Sequence, residues 1–253
     1  MAYMNKNIIA IDLHGTLLNK HWQLPKAQQE AFYKSYKRLK DTFDFYICTG
    51  NDYSFLTRYL PNKFLTFFKG FILETGALYW EKGEETILID VDMIEKIKCL
   101  EDDLKMADFR FIHYFATRKA TISMFTHTEQ TGSAPDMYVA TIKDFMLSHP
   151  LNMFFNITWS NVAIDIIPKG INKYTGIKNV ANNVKIISLL DSMNDYDLAI
   201  NSDVCFLPAN SSKKLLDSIK YSSIDKYNKD FINAIYLCKN DYSEGVIEAL
   251  NKL

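Results

Sequence analysis

The chain has 253 residues, 48% hydrophobic and 23% charged. This is the composition of a globular protein with one large domain or a core plus an insert, and it excludes disordered, collagen-like and coiled-coil classes. With 29 Lys and Arg against 30 Asp and Glu the net charge is −1, so no overall field would hold the chain on nucleic acid or an anionic membrane. Cys48, Cys99, Cys205 and Cys238 stand far apart without a CxxC pair, so reduced, buried thiols are expected rather than a disulfide framework or a zinc site. The opening MAYMNKNIIAIDLHG lacks the charged-then-apolar layout of a signal peptide, and no apolar run approaches the roughly 18 residues of a membrane span, so a cytoplasmic location is expected.

The apolar run NIIAID at 7–12, closing in a turn at Gly15, reads as a buried strand of a parallel sheet. Pro25 suits an early helical position, and Phe32, Tyr36 and Leu39 give the following helix one apolar face. FDFYIC at 43–48 is a second strand, and Asn51 or Asp52 caps a helix SFLTRYL ahead of Pro61. Strand, helix, strand, helix means a parallel α/β sheet.

From Gly76 the pattern changes. A hairpin is expected about Lys82-Gly83, then a helix at 92–106, strands FRFIHYF and ATISMFT, a helix at 135–147, and a strand pair MFFNITW and NVAIDII closing around Ser160-Asn161. Arg118 and Lys119 fall on a solvated turn, and His113 and His127 read as surface or hairpin residues. After Pro168 the parallel pattern resumes with a helix from about Asn172, the strand VKIISLL, a helix near Tyr196, the strand DVCFLP, and helices to residue 253. The expected division is a core of 1–79 and 169–253 around an inserted α+β unit of 80–168. That insert carries an excess of acidic side chains, and its flanks an excess of basic ones.

In an open α/β sheet, ligands bind beyond the carboxyl ends of the strands. There this sequence places Asp12-Leu13-His14-Gly15-Thr16, Thr49-Gly50-Asn51-Asp52 and Asp191-Ser192-Met193-Asn194-Asp195, with PKGINK at 168–173 between insert and resumed core. Asp12, Asp191 and Asp195 in one cleft would resist ionisation unless a cation sat among them, and a hard divalent ion, Mg²⁺, suits all-oxygen ligands. A lysine and a threonine would neutralise and hydrogen-bond phosphoryl oxygens, and Gly15 and Gly50 would let backbone amides approach the anion.

These four segments resemble, in order and spacing, the motifs of the haloacid dehalogenase phosphatase superfamily. The large insert is similar to the C2-type cap of its Cof-type, sucrose-phosphate and mannosyl-3-phosphoglycerate phosphatase members. ILETGA at 72–77 resembles the segment that leads into that cap, with Thr75 in place of Asn. The resemblance implies a Rossmann-like parallel-sheet core with an inserted α+β cap, and a Mg²⁺-dependent phosphatase acting on a small phosphorylated substrate, a sugar phosphate from the cap type. It implies Asp12 as nucleophile forming an aspartyl phosphate. Thr49 and Lys173 would grip the phosphoryl group, with Lys169 the lesser alternative to Lys173. The Asp12 carboxylate, the His14 carbonyl, Asp191 and Asp195 would hold the metal, and Gly15, Thr16, Gly50, Asn51 and Asn194 would line the substrate site. Three further positions depart from the family pattern. Asn51 stands where many members have arginine, Leu190 where glycine is usual, and His14 where phosphatases carry the acid/base aspartate. His14 then inherits the proton transfer. The second reading is a phosphomutase-like protein, or one that binds phosphate esters without turnover.

Overall fold

The computed structural model describes residues 6–126, 136–160, 162–225 and 234–253. In chain order the elements are β1 (Asn7–Asp12), α1 (Lys26–Leu39), β2 (Phe43–Cys48), α2 (Tyr53–Tyr59), α3 (Asn62–Leu65), β3 (Gly70–Leu73), β4 (Leu78–Glu81), β5 (Glu84–Ile87), α4 (Val91–Met106), β6 (Ile112–Ala116) and β7 (Ile122–Thr126). There follow α5 (Asp136–Ser148), β8 (Phe155–Trp159), β9 (Ala163–Pro168), α6 (Lys173–Val180), β10 (Ile186–Leu189), α7 (Tyr196–Asn201), β11 (Val204–Leu207), α8 (Lys213–Asp225), β12 (Ala234–Leu237) and α9 (Tyr242–Lys252). His127 and Asn161 lie outside the described residues.

Eight strands form one sheet in the order β12-β11-β10-β1-β2-β3-β4-β5. The strands from β12 to β3 run parallel, and β4 and β5 are antiparallel at the edge. The sheet sorts its side chains by the two-residue period of a strand. Ile9 and Ile11 of β1 pack with Phe32 of α1, Leu56 of α2, Phe64 of α3 and Leu250 of α9. Ile8 and Ala10 face the other way, against Ile177 of α6, Leu198 of α7 and Leu215 of α8. Helices therefore cover both faces, and β1 reads as a continuous apolar run because neither side meets water.

From β1 the chain steps to β2 and β3 on one side and later returns to β10 on the other, so the strand order reverses between β1 and β10. Ile11 is in register with Leu189, and Asp12 with Cys48. The residues just after those partners, Thr49 and the Leu190-Asp191 pair, are thereby carried to the same carboxyl edge as Asp12.

A second sheet, of order β6-β7-β9-β8, is antiparallel and packs on α4 and α5 around its own core of Leu100, Leu104, Met124, Ile142, Met146, Ile164 and Ile166. The architecture is thus an α/β parallel-sheet core joined to an α+β unit. The hairpin at Lys82-Gly83 forms, but it pairs with β3 and extends the large sheet. Three expectations need correcting. Residues 234–237 form a parallel edge strand on β11 where helices were expected. Cys99 is exposed on α4 although buried thiols were expected, while Cys48, Cys205 and Cys238 are buried. Arg118 is not solvated: its side chain is 6% exposed, whereas Lys119 reaches water and pairs with Glu85 at 2.5 Å. Among the described residues no helix is long and apolar enough to cross a membrane.

Candidate active site

β1 delivers Asp12 to the sheet edge with its side chain almost wholly buried. Lys173, the first residue of α6, is held in place because Asn172 caps that helix through Thr175 N at 2.8 Å. Its ammonium reaches Asp12 Oδ1 and Asp195 Oδ1, each at 2.5 Å. Lys169, four residues earlier, is exposed. Asp195 spends its other oxygen on its own loop, accepting from Ser192 N at 3.1 Å and Asp191 N at 3.4 Å. Thr16 donates to Asp191 Oδ1 at 3.1 Å. Gly15 lies beneath that carboxylate at φ +89°, where any Cβ would collide with Asp191, so the turn after β1 requires glycine on both steric and backbone grounds.

One carboxylate oxygen each from Asp12, Asp191 and Asp195 fall within 4.8 Å of one another. Lys173 is the one cation in contact with this trio among the described residues. Burial pushes the Asp12 carboxyl up to about 7 despite the pull of Lys173. Asp191 is raised well above the carboxylate range by burial and by the Asp12 and Asp195 charges. On Lys173 burial opposes the charge, but Asp12 and Asp195 outweigh it and hold the ammonium protonated. Three buried carboxylates against one ammonium leave the cluster two positive charges short when ionised. An all-oxygen donor set with that deficit fits a hard divalent cation such as Mg²⁺.

On the neighbouring strand end, Thr49 Oγ1 accepts from Asn51 N at 3.2 Å and Asn51 Nδ2 at 3.3 Å, which leaves its own hydroxyl proton free to donate outward. Asn194 is steadied by Ser192, whose hydroxyl donates to Asn194 Oδ1 at 2.8 Å. His14 faces the cleft with a buried Nε2 that has no hydrogen-bond partner among the described residues, and burial lowers its pKa, favouring the neutral ring.

The opposite wall of the cleft comes from the second sheet. Arg118, Ser123, Phe125, Ala163 and Asp165 line it. Arg118 Nη2 donates to Asn51 Oδ1 at 3.0 Å, its Nη1 lies 4.0 Å from Asp52, and its buried Nε has no partner among the described residues. The two walls are fastened by Glu74, a buried residue in the turn after β3. Its carboxylate accepts from Lys119 N at 2.9 Å, from Ala120 N at 2.8 Å and from Thr121 Oγ1 at 3.3 Å. Glu74 and Thr75 both adopt the left-handed region, at φ 46° and 56°, a strained pair that these hydrogen bonds hold in place. The sequence motifs do not point to Ser123 or Asp165, and Glu74 falls within ILETGA, the segment likened to the lead into the cap, without a role being expected of it. The polar Ser123 within ISMFT was a partial signal for the first, whereas AIDIIP has a single polar residue and no alternation to read.

Residues 9–138, just over half of the chain, match the family model of the haloacid dehalogenase-like hydrolases. The chain belongs to that family. No curated protein matches it. Among solved structures it is similar to the sucrose-phosphatase of Synechocystis sp. PCC6803 in complex with sucrose and phosphate, at 15% identity and TM-score 0.66, with 98% of each chain covered. It is likewise similar to Thermoplasma acidophilum 0175, at 13% identity and TM-score 0.70 over 98% of each chain. TM0651 from Thermotoga maritima gives 14% identity and TM-score 0.65, again with 98% of each covered. At these identities the likeness establishes the fold.

Proposed function

We propose that this hydrolase is a Mg²⁺-dependent phosphomonoesterase that acts on a small phosphorylated metabolite through an aspartyl phosphate on Asp12. The observation that carries the proposal is the buried Asp12 carboxylate at the strand-order reversal, with Lys173 on one of its oxygens and the Thr49 hydroxyl on the adjoining strand end. The likeness to a sucrose-phosphatase supports a sugar phosphate as the substrate class. We further propose that the inserted cap begins after β5 rather than at residue 80, because the 78–87 hairpin pairs with the core sheet.

Asp12, the His14 carbonyl and Asp191 would hold the cation, with Asp195 orienting the shell. Bound there, the ion neutralises phosphoryl oxygens that would otherwise face three carboxylates. Asp12 attacks phosphorus in line while Lys173 and Thr49 hold the transferring group, so positioning and fixed charge lower the barrier. Water then cleaves the acyl phosphate. Arg118 brings a second guanidinium N–H from the cap, compensating for the short Asn51 side chain to which it is hydrogen-bonded.

Beside Asp12, Thr49 and Asp165 the cleft has a free volume of about 40 Å³, and it adjoins a wider hollow of about 280 Å³ between Trp22 and Arg58 of the core and Tyr114 and Phe125 of the second sheet. The test is phosphate release from p-nitrophenyl phosphate and a panel of sugar phosphates, with and without Mg²⁺. Release that needs Mg²⁺ and vanishes in Asp12→Asn is expected. Release that survives in that variant would overturn the proposal.

A further inference from the structure

Hydrolysis of an alkyl phosphate needs a proton donor for the leaving oxygen, because an alkoxide is a poor leaving group. The place that usually supplies it here holds His14. The second sheet offers another group. Ile122, Met124, Ile164 and Ile166 turn toward α4 and α5, and the strand period therefore turns Ser123 and Asp165 toward the cleft that holds Asp12 and Thr49.

Ser123 and Asp165 are directly opposed across the β7–β9 ladder, and the Ser123 hydroxyl donates to Asp165 Oδ1 at 2.5 Å. This is the single hydrogen bond of the Asp165 side chain among the described residues. Its other oxygen faces the Thr49–Asn51 turn, 3.9 Å from where a Cβ on Gly50 would sit. Asp165 is 6% exposed and forms no ion pair among the described residues. The charged groups facing it are Arg118, committed to Asn51, and Lys173, committed to Asp12 and Asp195. An ionised carboxylate accepts up to about four hydrogen bonds, and a buried one with a single donor and no cation keeps its proton. Burial accordingly raises the pKa of Asp165, with Ser123, Arg118 and Lys173 opposing only in part. A neutral acid is also the one form of aspartate that sits beside a phosphate ester without repulsion.

We propose that Asp165 is the cap-borne acid and base of the reaction, an inference that rests on the phosphomonoesterase reading above. In the first step an Asp12 oxygen bonds to phosphorus as the bond from phosphorus to the leaving oxygen breaks. The leaving oxygen takes the electron pair and the Asp165 proton, and the alcohol departs. In the second step a water oxygen bonds to phosphorus, the bond to Asp12 breaks, and the Asp165 carboxylate takes the water proton. Ester and water become alcohol and phosphate, and both aspartates are restored.

The test compares kcat/KM of wild type, Asp165→Asn and Ser123→Ala on p-nitrophenyl phosphate and on the sugar phosphates, with Asp12→Asn as blank. p-Nitrophenolate leaves without a proton, so Asp165→Asn is expected to lose roughly 10²–10⁴-fold in kcat/KM on sugar phosphates but little on p-nitrophenyl phosphate, while kcat falls on both because the shared aspartyl phosphate has lost its base. The alkaline limb of the sugar-phosphate pH profile should vanish with it. Ser123→Ala retains the acid but loosens it, and should show a smaller loss confined to the sugar phosphates. Equal losses of kcat/KM on both ester types, or a rise in KM with kcat unchanged, would make Asp165 a structural or hydroxyl-binding residue and overturn the proposal. A wild type that cleaves p-nitrophenyl phosphate but no sugar phosphate would also overturn it while leaving the phosphomonoesterase reading intact. A wild type that cleaves neither would overturn both.

Discussion

The two walls of the cleft are built on different principles. The wall at the ends of β1, β2 and β10 is closely wired: Lys173 spans Asp12 and Asp195, Thr16 holds Asp191, and Asp195 closes its own loop. The facing wall is sparse, with, among the described residues, one hydrogen bond on the Asp165 side chain and a buried Arg118 Nε that has none. On the proposed function the wired wall meets the same phosphoryl group in every turnover, and such a wall can be wired in advance. A wall that meets the leaving group has to keep donors free until substrate arrives, and buried free donors are costly enough that they mark a binding surface.

The largest expected effect tests the wired wall. Asp12→Asn should fold and lose on the order of 10⁴-fold or more in turnover, as removal of a covalent nucleophile does, read as phosphate release. Lys173→Met should be next. It strips the buried carboxylates of their counter-ion and is expected to lower unfolding free energy by roughly 3–5 kcal/mol in urea titrations without Mg²⁺. A loss within the error of the titration would mean that the ammonium does not balance the cluster.

The charge deficit gives a pH signature. The Asp12 carboxyl sits at about 7 in the fold against an ordinary 3.8, so the folded state binds the extra proton. Its stabilisation is complete below 3.8 and is lost as pH rises through about 7. Without Mg²⁺ the melting temperature should therefore fall as pH rises through neutrality. Mg²⁺ should restore it most at the alkaline end, because the ion binds the deprotonated carboxylates. Asp12→Asn should flatten the slope, and an equal slope in that variant would remove Asp12 as its source.

The smallest effect concerns the join between the walls. Glu74→Gln keeps the shape but replaces one acceptor oxygen with an NH₂ facing the backbone donors of Lys119 and Ala120, at a cost of roughly 1–3 kcal/mol. Faster hydrogen exchange at those two amides is expected, with the core strands unchanged. Unaltered protection would show that something else fastens the cap.

The same contrast governs what could be read from the sequence. The wired wall was legible because its residues follow strand ends in short contiguous motifs, DLHGT, TGN and DSMND, and a parallel sheet brings such ends together. The sparse wall was not, because its members are defined by contacts far along the chain. Arg118 looks like a solvated turn residue until Glu74, more than forty positions earlier, pulls residues 119–121 onto the core. Asp165 is one carboxylate in an isoleucine run, and only its pairing with Ser123 reveals which face it takes. The four-residue β12 is too short to display a period, and its pairing with β11 decides its form.

The account depends most on Asp12 carrying the phosphoryl group. The direct measurement is mass spectrometry of protein rapidly quenched during turnover of p-nitrophenyl phosphate with Mg²⁺. A phosphoryl adduct on the peptide that contains Asp12, absent from Asp12→Asn, is the expected result. Full turnover with no adduct there, and activity retained in Asp12→Asn, would contradict it.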